Sequence, residues 1–177
     1  MNIKKSKGPK KLAEIPIKVT AAQSFKIFDD THPLLTAGDS EKFNTMTISW
    51  GGLGTLWNMP ACTVYVRPTR YTYEFMEAQD YFTVSFFPEN MKQKLAICGT
   101  VSGRAVDKAA ECGLTPAFDE CGAPYFEEAG TVLICRKAYV QDLSLECARD
   151  DRIGACYENG ENVHRMYVGE VVKVLTK

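Results

Sequence analysis

From residue 44 the chain reads Asn44-Thr45-Met46-Thr47-Ile48-Ser49-Trp50, with Met46, Ile48 and Trp50 on one side and Thr45, Thr47 and Ser49 on the other. A period of two belongs to a strand, here half-buried, with one apolar face and one lined by hydroxyls. Gly51, Gly52 and Gly54 come next, and they predict a flexible loop closed by Pro60. Ala61 to Arg67 alternates again, with Cys62, Val64 and Val66 on one face. Tyr81 to Phe87 is rich in β-branched and aromatic residues and reads as a third strand.

Farther along, Thr131 to Leu145 and Val163 to Leu175 read as two long or bent strands joined through the turn dipeptide Asn159-Gly160. Gly169 marks a bulge or bend in the second of them. Helical signals are short. Thr72 is placed to cap a helix running to about Gln79, with Glu74 in its first turn. A second helix is expected from Pro88 to Cys98 with Gly99 as its stop, and Met91, Leu95 and Cys98 on one face. A third spans about Val106 to Cys112 and ends at Gly113, and residues 113–130 read as loop. Many strands with few short helices predict a mainly β fold, a closed or partly closed antiparallel barrel.

The 177 residues, 45% hydrophobic and 24% charged, suit one domain with a core that needs no disulfide staples. Net charge is −1, which gives no general attraction to nucleic acid, and no apolar run is long enough for a membrane span. Residues 1–18 hold six lysines against Glu14 alone. They read as a basic, partly disordered arm ahead of a single domain at 19–177, and no apolar stretch follows them as a secretory signal requires. The seven cysteines are odd in number and show no C-x-x-C spacing, which argues against a disulfide framework, a zinc ribbon or a dithiol redox motif. Reduced, buried thiols in a cytoplasmic protein are expected.

Standard catalytic patterns are missing: no G-x-S-x-G, no P-loop, no H-E-x-x-H, no G-x-G-x-x-G between strand and helix, and only His32 and His164 as imidazoles. A protein so equipped supplies a binding surface to a cofactor that carries the reactivity. Three stretches suit such a surface. The hydroxyl face Thr45, Thr47 and Ser49 beside Trp50 offers neutral donors to a flat heterocycle, or is simply a solvated face. Arg67-Pro68-Thr69-Arg70-Tyr71-Thr72 stands where a strand turns into a helix and forms either an anion cradle or a pair of surface arginines. Ser102-Gly103-Arg104 with Asp107-Lys108 suits a phosphate or a polyol chain, or is a plain inter-helix loop.

In this order, together with Phe82-Thr83-Val84-Ser85 and His164-Arg165-Met166-Tyr167-Val168-Gly169-Glu170-Val171, these stretches resemble the flavin reductase-like family, and within it the flavoredoxin branch. The resemblance runs from about residue 30 to the C-terminus. It implies an antiparallel split β-barrel of the FMN-binding type and a homodimer with one FMN per subunit near the interface. Asn44, Thr45, Met46, Thr47, Ser49 and Trp50 would line the ring and ribityl chain. Arg67, Arg70, Tyr71 and Thr72 would stand around the phosphate or ring edge, with Ser102 and Lys108 at the polar end. The implied activity is hydride or electron transfer from NAD(P)H through FMN to an acceptor. The alternatives are an FMN electron carrier between protein partners, or a module for another phosphate ligand or haem with His164 as axial ligand.

Overall fold

The computed structural model describes residues 22–177; the lysine-rich arm lies outside them. Its main feature is one seven-stranded antiparallel sheet with strand order β2-β1-β5-β8-β9-β4-β3. In chain order the strands are β1 (Leu34–Gly38), β2 (Phe43–Thr47), β3 (Gly51–Leu56), β4 (Met59–Val66), β5 (Tyr81–Phe86), β8 (Thr131–Asp142) and β9 (Arg165–Thr176). A two-stranded hairpin, β6 (Pro116–Phe118) and β7 (Pro124–Phe126), lies apart from it.

β2 and β3 are the two edges of the sheet, yet only residues 48–50 separate them. In a flat sheet those edges would stand about 29 Å apart at the usual strand spacing. The four steps from Thr47 to Gly51 reach at most about 14 Å. The sheet therefore wraps round until its edges meet. No ladder joins them, so the molecule is an antiparallel β-barrel split along the β2/β3 seam, with residues 48–50 crossing the split.

Alternation fills the barrel. Leu35, Ala37, Cys62, Val64, Val66, Phe82, Val84, Cys135 and Tyr167 face inward and are buried. Helix α1 (Ala22–Asp29) adds Phe28, and α2 (Tyr71–Ala78) adds Phe75 and Met76. A second apolar layer forms on the outer face of β1. There Leu34 meets Leu95 and Cys98 of α3 (Lys92–Thr100), Ala109 of α4 (Lys108–Glu111), Cys112 and Phe126. Met91, Leu95 and Cys98 share the face their spacing predicts.

Gly169 sits inside the wall where a Cβ would come 2.6 Å from Phe82 Cζ and 2.8 Å from Cys135 Cβ. The β8/β9 register slips between Lys137 and Tyr139, opposite Gly169 and Val168, at the place that glycine marks.

Several local expectations are corrected. The strand from Asn44 ends at Thr47, because Ile48 turns into the core while Ser49 and Trp50 cross the seam exposed. Gly51 to Leu56 is strand β3 and not a loop: its backbone pairs with β4 from Gly51↔Val64 to Leu56↔Met59, through a turn at Trp57 and Asn58 with positive φ. Residues 113–130 contain the β6/β7 hairpin. Gly99 lies within α3, which continues to Thr100. Asn159 and Gly160 both have positive φ but belong to a longer excursion, residues 143–164, between β8 and β9. All seven cysteines are free, with Cys62, Cys98, Cys112 and Cys135 buried. No helix among the described residues is long and apolar enough to cross a membrane.

Candidate functional site

β2 is an edge strand, so one row of its backbone groups has no strand neighbour. α2 packs on one of its faces, and α3 with α4 on the other. Three concavities follow one another along β2 and across the seam.

The first, about 440 Å³, is polar and is lined by Lys42, Asn44, Tyr71, Gly103, Arg104 and Lys108 among others. Two cations flank one ring here: Arg104 Cζ lies 4.6 Å from the Tyr71 centroid and Lys42 Nζ 5.8 Å from it. Arg104 also pairs with Glu74. Asn44 Nδ2 donates to Thr72 Oγ1 at 2.7 Å. A Cβ at Gly103 would overlap Asn44 Oδ1, so any larger residue there has to displace the Asn44 side chain. Lys108 is buried, and its Nζ donates to Thr45 O at 3.0 Å and to Cys98 O at 2.8 Å. Burial pushes its ammonium below the usual lysine range, and the Arg70 charge pushes it further in the same direction.

The second concavity, about 400 Å³, lies under α3 and is lined by His32, Thr47, Ser49, Leu95, Gly99 and Thr100 among others. His32 Nδ1 and Thr47 Oγ1 are buried without a hydrogen-bond partner among the described residues. Such atoms are uncommon in folded proteins. The His32 backbone has φ 51°, unusual for a side-chain-bearing residue and more so directly before a proline, Pro33.

The third is the largest, about 710 Å³, and lies beside Trp50 and under residues 143–164. The Trp50 and His164 rings are 4.6 Å apart. Tyr157 Oη and His164 Nδ1 are hydrogen-bonded at 2.9 Å. Arg67 Nη2 donates to Cys156 O at 2.7 Å, and its guanidinium lies 5.2 Å from the Tyr157 centroid. Burial, then the charges of Arg67 and Arg70, hold the His164 imidazole down at about 4, so it is neutral at physiological pH.

The stretches named from sequence thus converge on the seam, though not every residue takes the place its pattern suggests. Asn44, Thr45, Tyr71 and Lys108 line the polar end, Thr47 and Ser49 the middle, and Ser49 and Trp50 the aromatic end. The hydroxyl face is covered by α3, and Thr45 Oγ1 is engaged with Thr36 Oγ1 and Leu35 O. Met46 packs against the barrel core. Thr72 is not the cap of α2: Arg70 holds that position without a side-chain bond, and Thr72 is buried one residue inside the helix. Ser102 caps its own turn by accepting from Arg104 N, and the cavity wall begins at Gly103. The Arg70 guanidinium is exposed and makes no hydrogen bond among the described residues, while its charge reaches both His164 and Lys108. His32, Lys42 and Tyr157 were not foreseen. Lys42 stands next to the quoted strand, but only the folded chain brings Tyr157 to His164. No cluster of three or more metal-ligating side chains occurs among the described residues.

Residues 28–177 match the family model described as flavin reductase like domain. No curated protein matches the chain. Among solved structures, flavoredoxin from Methanosarcina acetivorans is 25% identical, with TM-score 0.66 over 82% of this chain and 67% of that one. An FMN-binding protein from Thermus thermophilus is 20% identical, with TM-score 0.67 over 100% and 82%. Flavoredoxin of Desulfovibrio vulgaris (Miyazaki F) is 23% identical, with TM-score 0.64 over 99% and 77%.

Proposed function

Because this chain belongs to the flavin reductase-like family, we propose that it binds FMN along the seam and works as an oxidoreductase that passes electrons from NAD(P)H to an acceptor. The observation that carries this reading is the polarity gradient along β2. Lys42, Arg104 and Lys108 stand at one end, and Trp50, Tyr157 and His164 at the other. A phosphate-bearing chain ending in a flat ring needs that order. The unpartnered Thr47 Oγ1 and His32 Nδ1, between the two ends, fit a ligand with its own donors and acceptors.

FMN supplies the hydride chemistry when bound, so the protein needs no acid or base of its own. The protein's part is to hold and exclude. The basic end with Arg70 receives the phosphate, the free edge of β2 offers backbone groups to the ring's polar edge, and Trp50 covers an apolar face. Neutral His164, fixed by Tyr157, places no charge beside the ring. A homodimer is part of the proposal, supported by the exposed Leu53, Leu56, Trp57 and Tyr139, the last two in edge contact at 5.5 Å.

An absorption spectrum of the protein with FMN, followed by anaerobic titration with NADH and NADPH, tests this. The expected result is a yellow protein after dialysis that bleaches with one of the two nucleotides. A protein that stays colourless overturns the flavin site. A bound flavin that stays oxidised with both overturns the reductase and leaves an electron carrier between protein partners.

A further inference from the structure

Four of the seven cysteines are buried, and two of these touch: Cys98 Sγ and Cys112 Sγ lie 3.4 Å apart. They are fourteen positions apart in the chain, so no short dithiol spacing marks them in the sequence. Cys98 belongs to α3, Cys112 directly follows α4, and both side chains lie in the apolar layer outside β1. Their contact is close to the surface. Cys112 Sγ also donates to the carbonyl of Lys94, an exposed residue one turn before Cys98. Cys62 and Cys135, the other buried thiols, face the barrel interior instead.

The two sulfurs are held in place by bonds that do not involve them. Lys108 Nζ donates to Cys98 O at 2.8 Å, and Cys112 N–H donates to Lys108 O at 3.0 Å. One residue thus fixes the backbone on both sides of the contact. A disulfide needs its sulfurs about 2.05 Å apart, which leaves each of these about 0.7 Å to travel. The anchors also adjoin two of the concavities. Gly99 and Thr100, next to Cys98, line the one under α3, and Lys108 and Ala109 line the polar one.

We propose that Cys98 and Cys112 are an oxidisable pair, joined by hydrogen peroxide into a disulfide that latches α3 to α4 over the edge strand β2. One thiolate attacks a peroxide oxygen. The O–O bond breaks, leaving a sulfenic acid and a hydroxide that takes up the thiol's proton as water. The second sulfur then attacks the sulfenic sulfur. The S–S bond forms, the S–O bond breaks, and the departing hydroxide leaves with the second thiol's proton as water. Two electrons have passed from the two thiols to one peroxide, which ends as two waters. Burial, then the hydrogen bond with Cys112, pushes the Cys98 thiol up to about 12. Little of it is thiolate at neutral pH, so the latch closes over hours under sustained peroxide, and faster as the pH rises. The bond needs no flavin.

The test treats the full chain first with N-ethylmaleimide in the absence of denaturant, which blocks the exposed Cys121, Cys147 and Cys156. The protein is then held with hydrogen peroxide, denatured, alkylated with iodoacetamide and digested for mass spectrometry. The expected product is a pair of peptides joined through Cys98 and Cys112, lighter by two hydrogens than the two thiol peptides and separated by dithiothreitol. Amide exchange in α3 and α4 is expected to slow at least about tenfold in the oxidised chain. Cys112→Ala is expected to abolish both results, and Cys135→Ala to keep both. Mapping in the unsubstituted chain decides the matter even where a variant fails to fold. Iodoacetamide adducts on both Cys98 and Cys112 after oxidation overturn the pair. Separate sulfinic acids, or a bond from either sulfur to Cys62 or Cys135, overturn it equally. The right bond with amide exchange unchanged or faster overturns the latch.

Discussion

Lys108 Nζ stands 3.0 Å from Thr45 O and 2.8 Å from Cys98 O, so one buried ammonium ties the edge strand β2 to helix α3. It does for this edge what a neighbouring strand does elsewhere. Lys108→Met leaves both carbonyls without their donor, and the expected loss is about 2 kcal/mol. Urea unfolding checks it; an unchanged midpoint would show that water replaces the ammonium.

Arg70 is the opposite case, an exposed guanidinium with no hydrogen bond among the described residues. Arg70→Ala is expected to leave stability within about 0.5 kcal/mol and to raise the FMN dissociation constant about tenfold. Riboflavin, which lacks the phosphate, should bind both proteins alike. Equal losses for the two ligands would move Arg70 away from the phosphate.

His164 gives a pH dependence of defined sign. Its imidazole is held at about 4 against an ordinary 6.5, so the unfolded chain takes up a proton that the native chain refuses. Stability from this group is complete above pH 6.5 and falls as acid is added down to about pH 4. The expected loss is about 2 kcal/mol, less than the full shift implies because the ring is only half-buried. His164→Asn should flatten the unfolding midpoint across that window; an unchanged slope would assign the acid sensitivity elsewhere.

Gly169→Ala puts a methyl 2.6 Å from Phe82 Cζ and 2.8 Å from Cys135 Cβ, between two fully buried side chains. Overpacking of this kind costs about 1–3 kcal/mol. Thermal unfolding should show a lowered Tm, and Phe82→Leu in the same chain should restore part of it.

The barrel was legible wherever side chains alternate. Cys62, Val64 and Val66 face the core as their spacing predicts, and the long β8 and β9 follow from their β-branched runs. β3 was not legible because its glycines carry no pattern; it exists through backbone pairing with β4 on an exposed edge. The alternation from Asn44 also extends past the real strand end, since Ile48 stays buried after the chain has left the ladder. Thr72 has the chemistry of a cap, but Asn44 engages it from 28 positions away, a contact no local pattern contains.

The same limit governs the site. Sequence order placed the right stretches together, while the partner of each side chain depends on closure of the sheet. His32 and Thr47 share a cavity only because α3 crosses β2, and Tyr157 reaches His164 only through the fold of residues 143–164.

The neck at Leu143 and His164 means that this excursion leaves the sheet and returns to it at one point. Its length is therefore uncoupled from strand register, and exchanging it for a shorter or longer segment shifts no ladder.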